Sequence, residues 1–130
     1  MQSGQDEIAS LLRHVRRQIQ LSDTDSPRFV LSTRDKNVET IARLELNRND
    51  VKMILSELSV EDYCSGPSPD HQAAGEFWVF GKNIRGLPIY IKFKLNDSRD
   101  AAGVRVLSFH VAEEAMSYPF RSTAHDVQAT

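Results

Sequence analysis

Residues Glu76–His110 read EFWVFGKNIRGLPIYIKFKLNDSRDAAGVRVLSFH, and this stretch decides the fold. It divides into three short strands, Glu76–Lys82, Ile89–Leu95 and Val104–His110. A tight connection over Asn83–Pro88, containing Gly86, joins the first two, and a polar one over Asn96–Gly103 joins the last two. In the middle strand Ile89, Ile91, Phe93 and Leu95 alternate with Tyr90, Lys92 and Lys94. Side chains alternate faces along a strand, so one face is apolar and the other carries a phenol and two ammonium groups. Leu107 and Phe109 are expected on the apolar face. That puts Val104, Val106, Ser108 and His110 on the side of Tyr90 and Lys92. In the first strand Phe77 and Val79 are expected in the core, leaving Trp78, Phe80 and Lys82 on the open side.

Upstream, Asp6–Gln20 carries Ile8, Leu11, Leu12, Val15 and Ile19 at helical spacing, with Arg13, Arg16 and Arg17 largely off that stripe. The basic side reads as a solvated helix surface or as a partner- or RNA-facing edge. Met1–Gln5 is expected to be flexible, Leu21–Pro27 a polar loop and Phe29–Leu31 a short strand. Asn37 reads as the N-cap of a helix over Val38–Leu46. Asn47 with Asp50 three residues on reads as the start of another helix, ending near Leu58. Ser65–Asp70, with Gly66, Pro67 and Pro69, reads as a loop, being unfit for a helix or a central strand. The tail from Ser122 is polar and expected to be flexible. Helices followed by a strand meander imply one α+β domain, with helices packed on one face of a small antiparallel sheet.

The chain has 130 residues, 40% of them apolar, enough for one real core, and a net charge of −2. That balance gives no global pull toward nucleic acid, but the charge is unevenly placed. Leu44–Glu76 balances at −5, with seven acids against two bases; Phe77–His110 balances at +4, with six bases against two acids. One cysteine, Cys64, cannot form an internal disulfide, and no Cys/His cluster has zinc spacing, so neither metal nor cofactor is expected. No signal-peptide pattern and no membrane-length apolar run is evident, so a cytoplasmic protein with no membrane partner is expected.

Four segments, in order, carry a resemblance: Leu58-Ser59-Val60-Glu61-Asp62-Tyr63, Phe77-Trp78-Val79-Phe80-Gly81-Lys82, Ile89-Tyr90-Ile91-Lys92-Phe93 and Leu107-Ser108-Phe109-His110. Together they resemble the MqsR family of toxins from bacterial type II toxin–antitoxin systems, over roughly Arg34 to Arg121. Arg34-Asp35-Lys36-Asn37 and Tyr118-Pro119-Phe120 look like marks of a longer subgroup. The resemblance implies a RelE-like fold and metal-independent mRNA cleavage. It also implies a cognate antitoxin, often one with a helix-turn-helix DNA-binding domain. The aromatic and lysine of the family's middle strand match Tyr90 and Lys92. The family's lysine after the acidic–aromatic turn falls near Cys64 or Ser65, its glutamine on Val79, and its last-strand lysine on His110.

RNA brings its own nucleophile, the 2′-hydroxyl. Cleavage then needs a base for that proton, a cation for the phosphorane charge and an acid for the 5′-oxygen. His110 is the preferred acid/base, because imidazole ordinarily titrates at about 6.5. The alternative is a strand-end histidine bonded to a backbone carbonyl. Lys92 is the preferred phosphate ligand, with Lys94 and Lys82 in support; an ordinary solvated sheet face would look the same in sequence. Tyr90 orients or stacks on a base. Trp78 is a further stacking candidate, a core position being its ordinary fate. Arg34 and Lys36 are candidates for added phosphate contacts. Glu113 and Glu114 read as solvated, with an acid–base role as the alternative, and a nearby carboxylate would tune His110. Cys64 reads as a small loop or core residue. A non-catalytic RNA- or partner-binding module of the same fold is the alternative function.

Overall fold

The computed structural model describes residues 3–22, 28–96 and 103–121. Among these residues three α-helices, α1 (Gln5–Leu21), α2 (Asp35–Arg43) and α3 (Arg48–Ser56), and a 3-10 turn over Val60–Asp62 accompany five strands. The strands are β1 (Phe29–Leu31), β2 (Tyr63–Pro69), β3 (Glu76–Ile84), β4 (Leu87–Asn96) and β5 (Gly103–Val111). They form one sheet in the order β1-β5-β4-β3-β2. The meander β2–β5 is antiparallel, and β1 joins β5 in parallel, so the sheet is mixed rather than purely antiparallel. No helix among the described residues is long and apolar enough to cross a membrane.

The expected stripe of α1 is the one that packs: Ile8, Leu11, Leu12 and Val15 are buried with Val51 and Leu55 of α3 against Phe80, Ile89, Ile91, Phe93 and Phe109 of the sheet. At the start of α3 the Asn47 side chain accepts from Asp50 N, and the Asp50 carboxylate accepts from Asn47 N, both at 2.9 Å. These are the reciprocal bonds that leave two helix-start donors satisfied. Ile84 pairs with Leu87, so the β3–β4 turn is Arg85-Gly86, with φ 51° and 84°. Two successive positive φ values suit the right-handed strand twist, and only glycine takes the second without strain.

Several expectations are corrected. Ser65–Pro69 is the greater part of edge strand β2, not a loop. Its pairing with β3 slips twice, and the edge position is where a sheet tolerates proline. Within the expected flexible Met1–Gln5, Ser3 is held down: its N donates to Tyr63 Oη and its Oγ to Gly66 O, each at 3.0 Å, and Gln5 already belongs to α1. Residues 1–2, 23–27, 97–102 and 122–130 lie outside the described residues, and with them most of the two expected loops and the tail.

Asn37 is not a cap. α2 begins two residues earlier, and Asn37 is fully buried in its first turn. Its Nδ2 donates to Ser32 O and Leu107 O, both at 3.0 Å, and its Oδ1 accepts from Phe109 N at 2.9 Å. One turn on, Thr40 Oγ1 accepts from Val111 N at 3.2 Å. The physical reason lies in β5. β1 pairs with β5 only as far as Val106, and the β4–β5 register slips between Lys92↔Ser108 and Phe93↔Val106, leaving Leu107 as an extra residue. A bulge strands backbone polar groups, and a buried stranded group must find a partner. Asn37 and Thr40, three apart on α2, supply those partners.

Candidate functional site

The bulge also decides which residues face the site. Before it, Val104 and Val106 point into the core and Arg105 points out; after it, Phe109 is in the core, and Ser108, although buried, and His110 lie on the opposite face with Lys92 and Tyr90. Inserting one residue reverses the alternation. His110 therefore lies on the Tyr90 face as expected, while Val104 and Val106 do not. In β3 the expected facing is reversed. Trp78 and Phe80 pair with Phe93 and Ile91 in the core, and Val79 and Gly81 pair with Lys92 and Tyr90 on the open face. Trp78, 9% exposed, is a core residue and no stacking platform. The segment Phe77–Phe80 is apolar at every position, so alternation carries no signal there.

Tyr90 and His110 face each other across β4 and β5. Their rings stack with centroids 5.5 Å apart and planes 28° from parallel. His110 Nδ1 lies 3.0 Å from Val111 O, so the carbonyl bond anticipated as the alternative is present. With Nδ1 donating there, Nε2 is the nitrogen left for other work. Burial, with the nearby Cys64 thiol second, raises the Tyr90 phenol above its ordinary range, so it remains an O–H donor at neutral pH.

A cleft of about 330 Å³ opens beside this pair, lined by Tyr90, His110 and the segment Glu113–Met116. A second, of about 350 Å³, lies on the α2 side and shares His110 and Glu113 while adding Lys36, Glu39 and Arg43. Lys36 Nζ and Glu113 Oε1 are 2.8 Å apart, with both side chains more than half exposed. Such an exposed pair contributes little to stability. It does hold the Glu113 carboxyl below the ordinary carboxylate range, first through the Lys36 hydrogen bond and then its charge.

The other expected cations divide. Lys92 is on the open face, in register with Ser108, and its Nζ rests 4.8 Å from the Phe77 ring centroid. Phe77 lies on the side of Lys92 away from Tyr90, and Lys92 lines neither cleft at His110, so its ammonium meets that pair only by turning back along the strand, where two residues span about 6.5–7 Å. Lys94 is not available as a phosphate ligand: it is 8% exposed, donating to Asp70 Oδ2 at 2.8 Å and Ala74 O at 3.0 Å. It ties down the turn before β3. Lys82 is off the site, paired with Asp62 at 3.4 Å and in register with core residue Ile89. Arg34 is exposed at the α2 N-cap position. Arg105 escaped sequence reasoning: the bulge brings it to the open face, level with Lys94, where it lines a separate cleft with Asp70 and Phe77. Glu113, named in sequence as a carboxylate able to tune His110, lines both clefts with that imidazole.

Residues 112–121 cross the open face as a strap. Met116 and Tyr118 sit over Gly81, Phe120 stacks on Tyr63 at 5.5 Å, and Arg121 donates to Glu61 O at 3.2 Å and pairs with Asp62 at 3.6 Å. Gly81 is there for proximity: an added Cβ would meet Met116 Sδ at 2.7 Å and also the Tyr118 hydroxyl. Gly81→Ala should therefore loosen the strap without unfolding the sheet. Faster amide exchange over 115–120, unchanged exchange in β3–β5 and a stability loss of about 1 kcal/mol or less are expected. A uniform rise in exchange throughout the sheet would contradict this arrangement.

Cys64 lies near Tyr90, Tyr118 and Arg121, and burial pushes its thiol up to about 11, against a smaller lowering by Arg121. At pH 8 only about one thiol in a thousand is then ionised, against roughly a quarter for an ordinary cysteine. Alkylation of the native protein at pH 8 should accordingly run a few hundredfold (~250) slower than after denaturation. Equal rates would show that Cys64 is not buried as described.

Cys64 lies near Tyr90, and Val79 is in register with Lys92. Among the described residues no group of three or more His, Cys, Asp or Glu side chains is arranged to hold a metal ion. No family model, curated protein or solved structure matches the chain.

Proposed function

We propose that this protein is a metal-independent endoribonuclease of the type found as toxins in type II toxin–antitoxin systems, with a RelE-like fold. The observation that carries the reading is the stacked Tyr90–His110 pair, set in a cleft on the open sheet face. An imidazole beside a phenol that stays protonated offers proton transfer and a hydrogen-bond donor at one point. Lys92, two residues from Tyr90 on the same face, supplies the cation for the phosphate. The aromatic surface offers a base something to stack on. Arg34, exposed at the start of α2, and Arg105, further along the open face beside Lys94, are candidates for more distant contacts with the backbone charge, while Lys36 at the second cleft is already paired with Glu113.

The partner expected is a cognate antitoxin, with a helix-turn-helix domain of its own, that covers this face in competition with RNA. Because Lys82 and Lys94 are already paired with Asp62 and Asp70, charge steering of such a partner falls to Lys92 and Arg105. The same pairing favours a second reading, a non-catalytic RNA- or partner-binding module, since it removes two of the three lysines of the sheet expected to hold phosphate.

Incubation of the purified protein with RNA in EDTA separates the two. Cleavage that persists in chelator supports the nuclease; binding without cleavage supports the module.

A further inference from the structure

Cleavage through the 2′-hydroxyl requires two proton transfers, and His110 accounts for one. We infer that Glu113 performs the other, taking the 2′-hydroxyl proton while His110 protonates the departing 5′-oxygen. This rests on the ribonuclease reading and names the second group of the same site.

The geometry restricts the choice. Glu113 and His110 line both clefts together, so a phosphate placed against the imidazole has this carboxylate beside it. Lys36 Nζ is within 2.8 Å of both Glu113 oxygens, which keeps the group anionic, as a base must be, and sets a cation next to it. The charged and titratable groups facing the pair are Lys36, Glu39 and Arg43 from α2, Tyr90 from β4 and Glu114 from the strap. Tyr90, raised by burial, is a poor base at neutral pH. Glu114 lines only the first cleft and Glu39 only the second.

The step balances without a co-reactant. Glu113 accepts the proton of the 2′-hydroxyl, and O2′ forms a bond to phosphorus. The P–O5′ bond breaks and its electron pair takes the proton of the His110 imidazolium. The products are a 2′,3′-cyclic phosphate and a 5′-hydroxyl. Exchange with water returns the proton from Glu113 to solvent and one from solvent to His110. Lys36 is a positioning residue here, acting through Glu113.

The test is the pH profile of RNA cleavage by wild-type, Glu113→Gln and Lys36→Met proteins in EDTA. Activity in the wild type should rise with pH as Glu113 ionises, with this limb below the ordinary carboxylate range. Glu113→Gln should lower kcat by about 10²-fold or more and remove the limb. Lys36→Met, by taking away the group that stabilises the carboxylate, should move the limb to higher pH. Both substituted side chains are exposed, so the fold should survive, which circular dichroism verifies. A Glu113→Gln protein that keeps the wild-type kcat, or keeps the limb, overturns the inference. A wild-type protein that cleaves no RNA overturns the ribonuclease reading beneath it, which is a different result.

Discussion

His110→Ala should lower RNA cleavage by about 10²–10⁴-fold while leaving the protein folded, the range a general acid or base ordinarily supplies. His110 is half-buried on the open face, stacked on Tyr90 and bonded through Nδ1 to Val111 O, so truncation removes one ring contact and no core volume. His110→Lys should retain more activity than alanine, since an ammonium still stabilises developing charge. A folded His110→Ala protein that cleaves like the wild type would remove the imidazole from the mechanism.

Asn37→Ala should be the most damaging single polar truncation, about 3 kcal/mol or more, lowering Tm by roughly 10 °C. The side chain is fully buried and serves three backbone groups, Ser32 O, Leu107 O and Phe109 N. Each buried group left unpaired costs about 1–3 kcal/mol. Asn37→Asp is the sharper test. The carboxylate it introduces can still accept from Phe109 N but presents negative charge to two carbonyls, so at neutral pH it should be no better than alanine. That buried carboxyl would titrate above its unfolded value, and protonation would restore a donor. Stability relative to wild type should therefore recover as pH falls through that raised value and be lost again as pH rises. Urea denaturation of both variants at pH 7 and at pH 5 reads this directly. Losses below about 0.5 kcal/mol for both would mean the bulge does not depend on Asn37.

The α+β class and nearly every element were legible because they rest on local patterns. The apolar spacing of α1, the Asn47/Asp50 start of α3 and the alternation of Ile89–Leu95 each reside in a few adjacent residues. The open face was legible at Tyr90, Lys92 and His110 for the same reason. His110 was placed correctly by an argument that failed for Val104 and Val106, because one bulge residue, Leu107, lies between them. Trp78 and Phe80 were misplaced where every neighbour is apolar. The long-range ties were not legible at all: Lys94 with Asp70, Lys82 with Asp62, and Asn37 with the β5 backbone depend on chain reversals that no window of sequence contains. The strap was hidden for a related reason. Only Met116, Tyr118 and Phe120 mark it, too few to show a period, and its best signal was a glycine, Gly81, in the middle of a strand.

The central claim, that RNA is cut at this face through its own 2′-hydroxyl, is tested most directly by a matched pair of oligonucleotides in EDTA. One is all-ribose; the other carries a single 2′-deoxy nucleotide at the position the protein cuts. The account predicts scission of the first with 5′-hydroxyl and cyclic-phosphate ends, loss of that cut in the second, and scission of the first slowed by about 10²–10⁴-fold in His110→Ala. Equal cleavage of the pair, or cleavage that appears only when a divalent metal is added, would contradict it.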